Sequence, residues 1–509
     1  MNLADKTVLN ILAKSSQAFL LMISSVVMVR YFPKDEYGTF LQIMLIANTA
    51  IMFTSLGLPQ SIYYFFQQAV NRKNFVTRNV VLSLIIGGGT AFIVYGLQGQ
   101  LAGWLNNPRL VEFGWVAPIL VFFRAPSYFR EPILLSNEWL ILNSVLTLLT
   151  HTIFFSPLII AAFLSVSLTT LLQVMLVASG IQWIMYLASM LWLTNHIEDL
   201  QVSEHDTEKS QHTISLITQL RYAFPIGVSS YMGIIGRQID QYIVSAFFMP
   251  KEFAVYSRGA LRIPMLSTIQ FTVNDIMMPR YVNAYKTGDI PGLLQNFHTC
   301  IEKVAKINFP VFSFLFAVAP SMVIFLYTED YLASASVLRV YLCLLLLSIA
   351  VYSVIPRASG KTSYIMYITG TTICCNILLS IFFVSRFGPI GAALATLVAE
   401  IIAAGYYLIQ SCKILHISFR TIFPWKYLFQ LLGSALAASI PVYLIEFLFA
   451  PKGGAIFFVL VLDGLVYSYC FAFLAMRGNV IQQDDLSLLR KWLHFDVERV
   501  LRKITFLSS

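Results

Sequence analysis

The sequence predicts an all-α integral membrane protein with about fourteen transmembrane helices. They are expected to form two parallel-repeat six-helix lobes plus two additional C-terminal helices. Of the 509 residues, 58% are hydrophobic and only 12% are charged, and the mean hydropathy is +0.73. Apolar stretches follow one another along most of the chain with only short polar gaps. This composition excludes a soluble enzyme, a nucleic-acid-binding protein and a disordered chain.

Each predicted span holds the roughly 20 mostly apolar residues that a helix needs to cross the hydrocarbon core. The six cysteines show neither a metal-binding spacing nor a disulfide pattern. Walker A and HExxH motifs are absent from the sequence, so we expect no catalytic residue and no metal site. The spans are predicted at residues 8–31, 39–66, 79–103, 113–135, 140–164, 167–193, 219–247, 254–283, 306–327, 335–356, 363–385, 389–411, 427–448 and 455–476.

The basic residues between the spans predict the orientation of the chain. The formal net charge is +9, and loops rich in Lys and Arg stay on the cytoplasmic side of a membrane. With the N-terminus in the cytoplasm, most loop Lys and Arg residues fall on that side. Both termini are therefore predicted to be cytoplasmic. The opposite side then holds only Lys34, Arg109, Lys251, Arg386 and Lys452.

Two loop sequences indicate an internal repeat. Residues 33–40, which follow the first span, resemble residues 249–256, which follow the seventh. Six spans separate the copies, so both halves cross the membrane in the same direction. The repeat divides the chain into a first lobe, a cytoplasmic linker, a second lobe, two additional helices and a basic amphipathic cytoplasmic tail. Their predicted boundaries are 1–193, 194–218, 219–411, 412–476 and 477–509.

Ionisable residues inside the predicted spans indicate where a substrate binds. Such residues are costly in a bilayer and usually face a bundle interior or a wet cavity. Basic residues exceed acidic ones in these positions, so we expect a cationic central cavity between the lobes that binds an anion such as pyrophosphate. Arg258 and Arg262, four residues apart, would share a helix face. The predicted substrate-binding residues are Lys14, Arg124, Arg130, Arg237, Arg258 and Arg262.

Three acidic residues in the spans are candidates for ion coupling: Asp240, Asp275 and Glu400. A carboxylate at membrane depth can bind a proton or sodium, and it can equally serve as the counter-charge of a nearby Arg. Arg237 and Asp240, three residues apart, could pair in this second way. The sequence indicates no resident cofactor.

Distinctive loop motifs occur at Tyr31–Gly38, Met278–Tyr281 and Glu329–Tyr331, and they resemble those of polysaccharide flippases of the Wzx type. The loop Tyr31–Gly38 is similar to the one that follows their first span. The same pattern continues with Met278–Tyr281, followed by Gly288 and Asp289 and by an amphipathic segment that leads to Pro310. It also includes Glu329–Tyr331, which precedes a long apolar span. These flippases belong to the superfamily that also contains the MATE drug exporters and the lipid II flippases.

The resemblance implies two six-helix lobes that alternate access across the bilayer. It implies a polyprenyl-pyrophosphate-linked oligosaccharide as substrate, moved from the cytoplasmic to the outer leaflet of a bacterial inner membrane. Membrane lipid, a polysaccharide polymerase and chain-length proteins are the partners that it suggests. Two alternatives stay open. A membrane-embedded polymerase or glycosyltransferase would need longer external loops, and an exporter of cationic drugs would need an acidic cavity.

Overall fold

The structure is a computed structural model that describes residues 3–197, 215–449, 453–478 and 480. Within these residues the chain is almost entirely helical, with three short 3-10 segments and no strand. The predicted amphipathic tail lies outside the described residues except for 477, 478 and 480. Most of the predicted linker, residues 198–214, lies outside them as well.

The helices of the first half follow the predicted spans closely. The α-helices are α1 (Leu3–Tyr31), α2 (Lys34–Thr54), α3 (Leu58–Phe65), α4 (Arg72–Gly96), α5 (Gln98–Trp104), α6 (Arg109–Glu112), α7 (Val116–Arg124), α8 (Arg130–Ser136), α9 (Leu140–Phe163), α10 (Leu168–His196) and α11 (Leu216–Phe247). The 3-10 segments of this half are Phe66–Gln68 and Ala125–Phe129.

The second half continues in the same way, with one further 3-10 segment at Glu329–Tyr331. Its α-helices are α12 (Pro250–Gly259), α13 (Pro264–Lys286), α14 (Ile290–Leu326), α15 (Ser334–Leu347), α16 (Val354–Ala358), α17 (Ser363–Phe387), α18 (Ile390–Leu415), α19 (Trp425–Phe449) and α20 (Ala455–Arg477).

Ten helical segments among the described residues are long and apolar enough to cross a membrane. The other four predicted spans are also helical. The seventh is α11, which carries several polar and charged residues, and three are interrupted. The fourth span breaks at a 3-10 segment that contains Pro126, and the eighth breaks before Pro264, because proline removes a backbone donor and restricts the residue before it. The tenth breaks between α15 and α16.

The surface of the helices is strongly apolar. The side chains of Phe92 and Phe447, for example, are 79% and 84% exposed. In water such a surface would aggregate, whereas in a bilayer it contacts lipid tails. Together with the helix lengths, this confirms the predicted all-α integral membrane protein.

The first compact unit of the chain covers Met1–Ala254. In it α1 packs on α9, α4 packs on α7, and α11 packs on α2 and α3. The unit therefore contains α11, which the repeat places at the start of the second lobe. The boundaries predicted from the repeat are a separate division of the chain and stay a prediction.

The second compact unit covers Val255–Ser509. Its larger apolar core joins α13, α14, α16, α18 and α19, and it includes Phe297, Ile301 and Leu431. A smaller core joins α14, α19 and α20 around Val318, Val442 and Tyr467. The two additional C-terminal helices thus pack on α14 within this unit.

Gly57 occupies a position that other residues fit poorly. Its φ is +72°, in the left-handed region, and a Cβ atom there would collide with the carbonyl oxygen of Ala223 on α11. We expect Gly57→Ala to lower the free energy of unfolding by about 1–3 kcal/mol, measured as a lower melting temperature of the purified protein in detergent. Gly89→Ala is the control, because nothing lies within 4 Å of its Cβ position. Equal melting temperatures of the two variants would contradict this account of the turn.

Candidate functional site

A group of basic side chains lies inside the first unit, between α9 and the broken helix α7–α8. Thr147, His151 and Phe154 occur at helical spacing on α9 and share one face of it. Opposite this face, α7 ends at Arg124 and α8 begins at Arg130, with the 3-10 segment between them. We call Arg124, Arg130 and His151 the basic cluster.

Arg124 lies against an aromatic ring and has an unsatisfied donor. Its guanidinium carbon is 4.6 Å from the ring centroid of Phe154, within the range of a cation–π contact. Its Nη1 atom is buried and has no hydrogen-bond partner among the described residues. A buried guanidinium with an unused donor is costly unless an anion or another acceptor binds there.

Arg130 and His151 extend this arrangement along α9. Arg130 Nη2 donates to Thr147 Oγ1 at 3.2 Å, while its Nε is buried without a partner among the described residues. The same holds for Nδ1 of His151, which lies close enough to both arginines to be influenced by their charges. The basic cluster therefore offers two unused buried N–H groups, on Arg124 and Arg130, that suit phosphate or carboxylate oxygens. Nδ1 of His151 adds a third donor in the tautomer that carries the proton on this atom.

Lys14 is placed next to this region but is already paired. Its Nζ is 2.6 Å from Glu131 Oε1, and both side chains are substantially exposed. Because Glu131 neutralises it, Lys14 contributes less positive charge than the sequence suggests. Its predicted contact with substrate stays a prediction.

The pairing of Lys14 with Glu131 can be tested by exchanging the two charges. Glu131→Lys alone places two cations together, and we expect it to lower the stability of the purified protein by about 1 kcal/mol. The double variant Lys14→Glu, Glu131→Lys should regain most of this loss in a melting experiment. A double variant no more stable than the single one would contradict the pairing.

Arg237 and Asp240 lie on α11 in the same unit. Arg237 is exposed and Asp240 is only 1% exposed. Each makes an interaction within the structure, so neither is free. Their predicted roles in substrate binding and ion coupling stay predictions.

The remaining predicted residues belong to the second unit, on several different elements. Arg258 is near the end of α12, is half-buried and makes an interaction. Arg262 lies in the connection 260–263, 6.0 Å from the ring centroid of Tyr341. The expectation that these two arginines share a helix face is wrong, because α12 ends at Gly259. Asp275 on α13 and Glu400 on α18 are both exposed.

One face of α9 completes the basic cluster and is not predicted from the sequence. Thr147, His151 and Phe154 are not among the residues predicted from the sequence. The helical spacing of the three residues was visible in the sequence. What it could not show is that this face lies against Arg124 and Arg130, because that depends on packing between distant segments.

A surface cavity of about 570 Å³ in the second unit lies away from these residues. It is formed by the first turns of α14 and by Thr421 and Phe423, and it contains none of the predicted residues. His298 lines the cavity, and its Nε2 lies 3.1 Å from the carbonyl oxygens of both Thr421 and Ile422. The cavity gives no reason to move the candidate site from the basic cluster.

Comparison with known proteins identifies the family and the fold. The family described as polysaccharide biosynthesis protein matches residues 27–336, more than half of the chain. No curated protein sequence matches the chain significantly. The structure is similar to the lipid II flippase MurJ in its inward closed conformation, with a TM-score of 0.67 and 18% identity, covering 92% of this chain and 99% of that one.

Two further transporter structures share the same fold. A multidrug resistance MATE family transporter of the MOP superfamily, in an inward-facing conformation, has a TM-score of 0.60 at 14% identity, covering 79% of this chain and 96% of that one. A MOP superfamily transporter from Pyrococcus furiosus has a TM-score of 0.54 at 13% identity, covering 80% and 94%. At these identities the likeness shows the fold alone. The chain has the fold of these transporters and, by its sequence, belongs to the polysaccharide biosynthesis protein family.

Proposed function

We propose that the protein is a flippase that moves a polyprenyl-pyrophosphate-linked oligosaccharide from the cytoplasmic to the outer leaflet by alternating access. Membership of the polysaccharide biosynthesis family supports a glycan substrate. The fold shared with a lipid II flippase supports the translocation of a lipid-linked molecule. The observation that carries the proposal is the basic cluster, whose buried nitrogens lack partners among the described residues.

In this proposal the basic cluster binds the anionic headgroup during its passage. Arg124 and Arg130 would each donate to pyrophosphate oxygens, since a guanidinium can donate two parallel hydrogen bonds. The polyprenyl tail would stay in lipid, because moving it into a polar site has no compensating gain. An anion at the cluster would also supply the acceptors that Arg124 Nη1 and Arg130 Nε lack.

The other predicted residues keep defined roles within the proposal. Lys14, Arg237, Arg258 and Arg262 would contact the headgroup or sugars at other stages of the passage. Coupling to a proton or to sodium would involve acidic residues at membrane depth. The candidates for that coupling are Asp240, Asp275 and Glu400.

The proposal also defines a setting for the protein. It would act in the bacterial inner membrane with both termini in the cytoplasm, as a transporter and not as an enzyme. Its partners would be the lipid-linked oligosaccharide, membrane lipid, and the polymerase and chain-length proteins that act on the flipped substrate. Drug export, suggested by the MATE likeness, is less favoured because a cationic drug would be repelled by the basic cluster.

Deleting the gene from its native cell tests the proposal directly. We expect the lipid-linked glycan intermediate to accumulate and to remain in the cytoplasmic leaflet, where periplasmic glycan-modifying enzymes cannot reach it. Restoring the protein should return the intermediate to the outer leaflet. Accumulation on the outer leaflet in the deletion strain would instead indicate a defect after translocation, as expected of a polymerase.

A further inference from the structure

Two carboxyl groups are buried among the three helices that form the smaller core of the second unit. Asp463 on α20 is 0% exposed, and Ser321 on α14 is 4% exposed. Glu446, near the end of α19, is half-buried. None of these residues belongs to the basic cluster or to the candidates for ion coupling.

The acidic residues continue the apolar faces by which α19 and α20 pack on α14. Glu446 lies four residues after Val442, and Asp463 lies four residues before Tyr467, so each shares a helix face with a core residue. The helices that bury Val442 and Tyr467 therefore bury the carboxyl groups too. The packing of the helices therefore holds both carboxyl groups away from solvent.

Three of the four carboxyl oxygens of Glu446 and Asp463 lack a hydrogen-bond donor among the described residues. Ser321 Oγ donates to Glu446 Oε2. The other oxygen of Glu446 and both oxygens of Asp463 are buried and have no hydrogen-bond partner among the described residues. Glu446 and Asp463 each lie one turn from Val442 and Tyr467 towards the connection between α19 and α20, so the packing of these helices places the two carboxyls at the same level and within hydrogen-bonding reach of each other. Two ionised carboxylates cannot make that contact, because each offers only acceptors.

No cation neutralises the pair among the described residues. Arg339 on α15 donates its Nε to the carbonyl oxygen of Phe316, and Tyr467 forms a hydrogen bond with Ser313 at 2.5 Å. The basic residues of α14, α19 and α20 that come nearest in sequence, Lys306, Lys426 and Arg477, lie at least 14 residues, about 20 Å, along their helices from Ser321, Glu446 and Asp463. Within about three turns of the pair on these elements, the other titratable groups are uncharged or acidic: Tyr327, Glu329, Asp330, Tyr331, Tyr443, Tyr469 and Cys470. Two like charges in this apolar environment would be strongly unfavourable.

We propose that Glu446 and Asp463 bind one proton between them, with Ser321 fixing the orientation of Glu446. The proton supplies the missing donor, turning two facing acceptors into a hydrogen bond, and it halves the buried charge. A hard metal cation would need about six oxygen ligands, whereas the described residues offer two carboxyls and one hydroxyl. The site adds a proton-binding function to the additional C-terminal helices and does not depend on the flippase proposal.

The position of the pair suggests which side exchanges the proton. Glu446 is three residues from the end of α19, and Asp463 lies about 12 Å into α20 from its first residue. In the predicted orientation these ends of the helices face the outer side of the membrane. The proton would therefore exchange with the outer medium.

Infrared spectroscopy of the full-length protein in detergent tests the site. A protonated carboxylic acid has a carbonyl band, distinct from that of a carboxylate, which moves to lower frequency in heavy water. We expect the wild type to show this band at neutral pH and to lose it as the pH rises. Asp463→Asn and Glu446→Gln should each abolish it, and the control Glu329→Gln, at an exposed acid, should leave it unchanged.

The Ser321→Ala variant and the wild type itself provide further tests if the variants without a carboxyl fold poorly. Ser321→Ala keeps both carboxyls and should shift the frequency of the band without removing it. The absence of the band from the wild type at neutral pH would overturn the proposal. A band that survives in Asp463→Asn would also overturn it. So would a melting temperature of the wild type that sodium raises and choline does not, if Asp463→Asn loses this effect of sodium.

Discussion

Arg124→Ala is expected to reduce polysaccharide export about 10- to 100-fold at a normal level of protein in the membrane. The loss corresponds to one charge-assisted hydrogen bond to the substrate headgroup, worth about 1.5–3 kcal/mol. Because Nη1 of Arg124 has no hydrogen-bond partner among the described residues, its removal costs no internal hydrogen bond of that atom. The defect should therefore lie in transport and not in folding. Export is measured as surface polysaccharide in a strain that depends on the protein.

The chain offers a matched control for this variant. Arg339 also lies over a phenylalanine ring, 5.3 Å from the centroid of Phe316, but its Nε already donates to the carbonyl oxygen of that residue. Arg339→Ala should affect stability and leave export per molecule near normal. Arg124→Lys should retain part of the export, since it keeps the charge but not the two-pronged geometry. Full export by Arg124→Ala would contradict the proposal that the basic cluster binds the substrate headgroup.

Gln42→Leu is expected to destabilise the first unit by about 2–4 kcal/mol. Gln42 is fully buried and its Nε2 donates to the carbonyl oxygen of Leu105 at 2.9 Å and to Ser245 Oγ at 2.8 Å. Its Oε1 accepts from Asn107 Nδ2 at 2.6 Å. Leucine would leave these buried groups without partners, and α11 would lose a polar contact with α2. The measurement is the melting temperature in detergent.

Gln67→Leu is the control for this prediction. Gln67 is exposed and makes two hydrogen bonds: its Nε2 donates to the carbonyl oxygen of Ser136 at 3.0 Å, and its Oε1 accepts from Arg72 Nη2 at 3.4 Å. The same substitution there should change stability by less than about 1 kcal/mol, since water can replace the lost partners. If Gln42→Leu were as stable as Gln67→Leu, the buried network would not fasten α11 to the first unit.

The sequence predicts the helices well because hydrophobicity and length alone specify a membrane span. Every predicted span coincides with a helix or with a pair of helices in one segment. The breaks are harder to predict. Proline is common inside membrane helices, and Pro157 lies within the continuous helix α9, whereas Pro126 lies in a 3-10 segment. The outcome depends on whether neighbouring helices satisfy the freed backbone groups.

The candidate site was predicted only in part for a related reason. A charged residue in an apolar span is conspicuous, so Arg124, Arg130 and Lys14 could be found from the sequence. Which charges pair, and which stay unsatisfied, depends on contacts between distant segments. Lys14 meets Glu131 across more than a hundred residues of sequence. Arg124 instead lies over the aromatic ring of Phe154, and its Nη1 has no hydrogen-bond partner among the described residues.

Reconstitution with a purified substrate tests most directly whether the basic cluster carries the headgroup across the membrane. Proteoliposomes would hold a polyprenyl-pyrophosphate oligosaccharide in one leaflet, and a membrane-impermeant lectin or hydrolase would report the headgroups that reach the other. We expect transfer by the wild type, inhibition by soluble pyrophosphate, and at least a tenfold slower transfer by Arg124→Ala with Arg130→Ala. Equal rates for the wild type and this double variant would contradict the account.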